Sequence, residues 1–216
     1  MPNWVYQSVT ITGSEQDLAN LREQVSKPYI NKYTDKEYNK ETQAWDIITL
    51  KEEEEKSPFS FWNIVKPADE ILDVYYGLVD DKPKIADLTI RDKVLLELET
   101  SNGWYAWNCR NWGTKWGACD VDFKQPDETT LIYTYNTAWS PSIPALLSLS
   151  SQYPAVTIEI CYEEEQGWGG EMTIVNGETI GEREYDIPKS HADFVERDQE
   201  CHFCLLEDPA EDCPPV

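Results

Sequence analysis

Twice this chain sets a two-residue apolar alternation before a capped helical stripe. A sequence that does so must layer helices on a sheet. In Val5–Thr12, VYQSVTIT, Val5, Val9 and Ile11 share one parity and Gln7 is the exception. Gly13 ends this strand, and Ser14 reads as an N-cap with Glu15 and Asp17 in the first turn. Leu18, Leu21 and Val25 then form the stripe of a helix that Pro28 stops. The pattern returns in Thr129–Asn136, TTLIYTYN. There Ser140-Pro141 reads as an N-cap and first-turn proline, and Ile143, Leu146, Leu147 and Leu149 give a helix to about Gln152. Ala155–Tyr162 is a further strand. Glu171–Val175 and Thr179–Tyr185 flank Asn176-Gly177, a strong hairpin signal.

The order β–α–insertion–β–β–α–β–β–β predicts an α+β fold. Its core is a ferredoxin-like split βαβ sheet with helices on one face, enlarged by a helical insertion at about 29–112 and an acidic C-terminal tail. One domain over 1–187 and a tail over 188–216 are expected. Within the insertion, Trp45–Leu50 reads as a short strand and Glu52–Glu55 as a solvated loop. FSFWNIVKP (59–67) reads as a strand or an extended stretch pinned on the core. Asp87–Thr100 and Trp104–Trp112 read as helices, the second stopped by Gly113. Alternation over Trp116–Phe123 predicts a strand.

Charge narrows the function classes. The chain holds 41 Asp and Glu against 18 Lys and Arg, a net −23, and 17 of the acids but only 3 of the bases follow Ile158. Phosphate binding needs Lys and Arg to displace counterions, so direct nucleic-acid binding and adsorption to an anionic membrane are disfavoured. No apolar run approaches the ~20 residues of a membrane span. Met1-Pro2-Asn3-Trp4 shows neither the basic nor the apolar region of a secretory signal, which predicts a cytoplasmic setting with reduced thiols.

Four segments carry a family resemblance: MPNWV, FSFWNIVKP, NWGTKWGACDVDF, and TYNTAWSPSIPALLSLSSQYP followed by YEEEQGWGGE and NGE. Together they resemble the Api92-like/YubB-type proteins of phages and plasmids, a family of unknown function whose C-terminal half is a ferredoxin-like domain. Ser142 stands where members often have a second proline, and the segment from Ser190 onward has no counterpart in the pattern. The resemblance implies a fold and a mobile-element origin. It brings no catalytic residues.

The candidate sites are of three kinds. Trp104, Trp107, Trp112, Trp116 and Trp139 predict core packing first, with Trp112, Lys115 and Trp116 as a candidate ligand platform. Glu163, Glu164, Glu165, Trp168 and Glu171 form a candidate partner surface on a hairpin, where a tryptophan can anchor and carboxylates can steer. No cofactor is expected: Cys201, Cys204, Cys213 and His191 offer thiolate and imidazole donors that could take zinc, but with no second tight pair free thiols are the first reading. Asp120 and Asp122 share a strand face, yet GxSxG and HExxH are absent, which disfavours an enzyme. The expected function is an acidic phage- or plasmid-encoded binding protein in the host cytoplasm. It would act on a basic host protein as a counter-defence or nucleic-acid-mimicking inhibitor. The alternatives are an enzyme or small-ligand binder in the Trp- and carboxylate-rich region, and a virion-associated structural protein.

Overall fold

The alternation in the first strand places Val5, Gln7, Val9 and Ile11 on one side, and all four are buried. In the computed structural model, which describes residues 3–79, 81 and 89–186, that strand is β1 (Trp4–Thr12). It sits at the centre of a six-stranded antiparallel sheet. Along the chain follow α1 (Glu15–Ser26), β2 (Tyr29–Asn39), β3 (Ala44–Glu55), α2 (Leu72–Tyr75), α3 (Ile90–Thr100) and α4 (Trp104–Asn111). Then come β4 (Cys119–Asp127), β5 (Thr130–Ala138), α5 (Ile143–Gln152), β6 (Thr157–Glu164), β7 (Trp168–Val175) and β8 (Glu178–Asp186). The sheet order is β4-β5-β1-β6-β7-β8, so β5 separates β1 from β4 as a split βαβ unit requires.

Both helices of the repeated pattern pack on one face. Leu18, Leu21 and Val25 of α1 join Leu146 and Leu149 of α5 over Val9, Ile11, Ile158 and Ile160 in one apolar cluster. Each leucine buried there contributes roughly 1.5–3 kcal/mol. The helices also touch through polar ends: Gln24 Nε2 donates to Gln152 Oε1 at 2.7 Å, and Tyr153 OH donates to Gln24 Oε1 at 2.8 Å. Ser14 caps α1 by accepting from the Asp17 amide at 3.2 Å.

Gln7, the exception to the apolar parity, is 0% exposed and fully engaged. Its Nε2 donates to Thr137 Oγ1, whose hydroxyl donates to Ser140 O at 2.8 Å. Its Oε1 accepts from the Ser142 amide at 3.0 Å and the Ser142 hydroxyl at 2.9 Å. Tyr135 OH lies 2.8 Å from Ser142 Oγ and completes the network. These bonds correct the start of α5. Ser142, not Ser140, is the N-cap residue, and Pro144, not Pro141, is the proline of the first turn. Ser142 makes no side-chain cap because Gln7 takes its hydroxyl.

The insertion departs from expectation more widely. It is not helical throughout, because β2 and β3 form a separate antiparallel hairpin. Glu52–Glu55 belongs to β3 rather than to a loop. Lys32 stands opposite Glu52 in register and binds it at 2.6 Å; Lys51 pairs with Asp35 at 2.9 Å and Lys56 with Glu54 at 2.7 Å. Such exposed pairs add little energy each but disfavour other registers. Residues 59–67 are a pinned stretch with a 3₁₀ turn at Phe61–Asn63, Phe59 and Phe61 being buried. The Ser60 amide donates to Val25 O at 2.9 Å, tying this stretch to the end of α1. Helix α3 buries none of its residues, Leu95 being exposed. Strand β4 begins at Cys119 rather than Trp116. The acidic tail, with Cys201, Cys204, Cys213 and His191, lies outside the described residues.

Gln7→Leu keeps the volume and removes the amide, leaving the Ser142 amide and the Ser142 hydroxyl buried without the acceptor they share. Unsatisfied buried groups cost about 1–3 kcal/mol each. Urea unfolding should therefore show a loss of at least about 2 kcal/mol, and a variant as stable as the parent would refute the lock.

Candidate functional site

The two most distinctive stretches of the sequence, NWGTKW (111–116) and NTAWSPS (136–142), meet in space. Trp112 ends α4, is buried, and donates from Nε1 to Val65 O at 2.9 Å. It packs against Trp107 at 5.7 Å, ring planes perpendicular, and against Phe61 at 6.0 Å. Gly113 then reverses the chain at φ +81°. A Cβ there would stand 2.5 Å from Pro144 Cδ and 2.9 Å from Pro141 O, so glycine is needed for both conformation and space. Thr114 Oγ1 donates to Ala138 O at 2.9 Å and accepts from the Ala138 amide at 3.1 Å, bonding the two stretches backbone to side chain.

Beyond that clasp lies an aromatic corner. Lys115 Nζ sits 4.8 Å from the Trp116 ring centroid and 4.7 Å from that of Trp139, a cation held between two indoles. Trp139 is 42% exposed and adopts φ +72°, which a bulky side chain rarely does. Its amide donates to Asn3 O at 2.8 Å, and the Gln7 network fixes the residues on either side. Strain of this kind collects at functional sites, where the surroundings over-determine it.

Two cavities flank the corner and share Thr34, Tyr76 and Trp104. One, of about 380 Å³, lies between β2–β3 and the core; Trp112 and Trp116 line it, with Tyr29, Trp62 and Tyr75. The other, of about 780 Å³, takes Lys115, Trp139 and Tyr105 as walls. Within the first, Tyr29 stacks on Trp62 with centroids 5.6 Å apart and planes 15° from parallel. Tyr75 OH donates to Asn108 Oδ1 at 2.9 Å, and Asn108 Nδ2 donates to Lys115 O at 2.9 Å, so the cavity wall is bonded to the corner. Burial raises the Tyr75 pKa, against a smaller lowering from the Asn108 bond. Burial likewise raises Tyr133 and Tyr135 beneath the sheet. The proposed ligand platform thus divides. Trp112 is core that also lines a cavity, whereas Lys115 and Trp116 stand at the boundary between the two cavities.

The hairpin residues divide as well. Glu163, Glu165 and Glu171 are exposed. Glu164 is 3% exposed; its Oε2 accepts the Gln166 amide at 2.6 Å and so shapes the β6–β7 turn, which removes it from a solvated partner surface. Trp168 is 36% exposed and leans edge-on against Tyr162 at 6.1 Å. Asp120 sits at φ +52° in a bulge of β4 and accepts from Asn136 Nδ2 at 3.4 Å. Among the described residues no group of His, Cys, Asp and Glu is placed to hold a metal ion. Sequence reading missed Glu55, Tyr29 and Trp62 as cavity residues: Tyr29 and Glu55 meet only through the pairing of β2 with β3, and Trp62 comes from the pinned stretch; the alternation in ITLK (48–51) was the available signal.

Residues 112–203 match the family model described as the ferredoxin-like domain in Api92-like protein. The match runs past the expected domain boundary at 187 and past Ser190. A crystal structure of protein Api92 from Yersinia pseudotuberculosis has a similar fold, with a TM-score of 0.50 at 10% identity over 87% of this chain and 99% of that one. Comparison with curated proteins returned no match.

Two outcomes test the division between core and rim. Trp112→Ala should cost about 3–5 kcal/mol in chemical unfolding, as buried aromatics do, whereas Trp104→Ala, at a residue 44% exposed, should leave the midpoint nearly unchanged. Since Tyr75, Tyr133 and Tyr135 are raised above the ordinary 10.0, the unfolded chain loses those protons first. Their contribution to stability should be constant below that value and be lost as pH climbs beyond it, readable as a declining urea midpoint.

Proposed function

We propose that this chain, whose residues 112–203 carry the ferredoxin-like domain of the Api92-like family, is a binding protein that engages a partner with a basic surface. The observation that carries the reading is the contrast between two acidic hairpins. In β2–β3 lysines are interspersed with the carboxylates, and Lys32–Glu52 and Lys51–Asp35 pair across the strands. From Thr157 to Asp186, by contrast, Arg183 is the only base against nine acids, and it is paired with Glu171 at 3.4 Å. Glu163, Glu165, Glu182 and Glu184 have no ion pair among the described residues, and strand β8 sets two of them along an open sheet edge. Uncompensated like charges destabilise a compact chain, so their retention on one ribbon fits a surface reserved for an oppositely charged molecule.

The partner that fits is a nucleic-acid-binding or nuclease-type host protein, whose own groove is lined with Lys and Arg. A phage- or plasmid-borne protein acting in the host cytoplasm would occupy that groove as a phosphate mimic. The sheet face away from the helices carries Glu159, Glu163 and Glu171, which disfavours phosphate there directly.

Glu163→Gln, Glu165→Gln, Glu182→Gln and Glu184→Gln together test this, with Glu164 kept for the turn. Proteins captured from a bacterial lysate at low salt should be basic. Their association with wild type should slow about tenfold or more as salt rises to physiological strength. The fourfold variant should melt normally and associate slowly even at low salt. Undiminished capture by the folded variant would sink the reading.

A further inference from the structure

We infer that the 380 Å³ aromatic cavity between β2–β3 and the core is a socket for an arginine side chain of the partner. The source of the arginine rests on the reading above; the chemistry of the socket does not. Its rings include Tyr29, Trp62, Tyr75, Tyr76, Trp104 and Trp116. Ring faces carry negative potential and attract cations, most strongly where water is thinned by burial.

A carboxylate stands at the same place. Glu55 lines the cavity and lies directly opposite Tyr29 in the β2–β3 register. Its hydrogen-bond partner is Asn31 Nδ2, at a long 3.4 Å. The ammonium groups near it are already engaged: Lys32 binds Glu52 at 2.6 Å and Lys56 binds Glu54 at 2.7 Å. Among the described residues Glu55 is therefore an anion without a cation, facing stacked aromatic rings. Its charge also raises the Tyr29 pKa, after the larger effect of burial. A phosphate or carboxylate entering here would meet repulsion from Glu55 and from the net −23 of the chain.

The chain itself uses this chemistry one wall away. Lys115 is held between Trp116 and Trp139 with no carboxylate partner among the described residues, and Trp116 borders the cavity. Arginine suits the socket better than lysine. Its guanidinium is planar and weakly hydrated, so it can lie along the near-parallel Tyr29 and Trp62 rings. Two of its N–H groups can also meet both oxygens of Glu55. The acidic ribbon of β6–β8 would bring the partner close, and the socket would fix its register.

The probes are N-acetyl-arginine amide and its neutral counterpart N-acetyl-norleucine amide, titrated into the full chain with tryptophan fluorescence and calorimetry as readouts. The arginine amide should bind saturably and the norleucine amide at least about tenfold more weakly. Glu55→Gln should weaken arginine binding about tenfold without shifting the melting temperature, because Glu55 makes only a long bond. Trp62→Phe, which keeps the cavity wall but weakens its ring potential, should weaken it less. The fourfold ribbon variant should bind the arginine amide as wild type does, which separates a failure of the ribbon from a failure of the socket. Absence of saturation in wild type, equal binding of the norleucine amide, or unchanged affinity in folded Glu55→Gln would each overturn the socket, whatever the ribbon variant does.

Discussion

A single buried amide organises the corner between β5 and α5. Gln7 sits at the centre of the sheet between Val5 and Val9 on the buried face of its strand, and it can stay there only because both ends of its amide are satisfied. The groups that satisfy it all come from the corner between β5 and α5. An apolar residue would bury as well and would leave that corner free to choose among conformations. The amide instead selects one, in which Thr137 turns back on Ser140 and α5 starts at Ser142. Trp139, between those anchors, takes a left-handed backbone and reaches Lys115. The position of the aromatic corner is thus set from beneath the sheet.

What could be read in the residues and what could not follows from the range of the forces involved. Strand β1, helix α1, the Asn176-Gly177 hairpin and the pairing of the two helices on one face are local patterns, and the sequence shows them directly. The start of α5 was misread by two residues because the deciding bond comes from Gln7, 135 positions away. The acid run of β3 looked like a loop because its compensating lysines lie on another strand. Gln7 itself stood out only as a break in the alternation. The aromatic set was recognised by composition, but its division into core (Trp107, Trp112) and rim (Trp104, Trp139) depends on which face of α4 the pinned stretch 59–67 covers.

The family match and the geometry meet on the same residues. NWGTKW and NTAWSPS, which made the chain recognisable, are the two sides of the clasp at Thr114 and Ala138. Gly113 has no alternative at its position, and Trp112 none without opening the core. Both motifs are held by this mutual fit, so they mark where the scaffold is rigid. It is the insertion that contributes Tyr29, Glu55 and Trp62 to the cavity.

The charged ribbon has a second effect, on the behaviour of the protein in a crowded solution. Strand β8 ends the sheet, and an end strand offers unpaired amides and carbonyls to any similar strand that drifts past. Carboxylates at Glu178, Glu182 and Glu184 make two such edges repel each other. A charged edge of this kind disfavours strand-by-strand association of one copy of the chain with another.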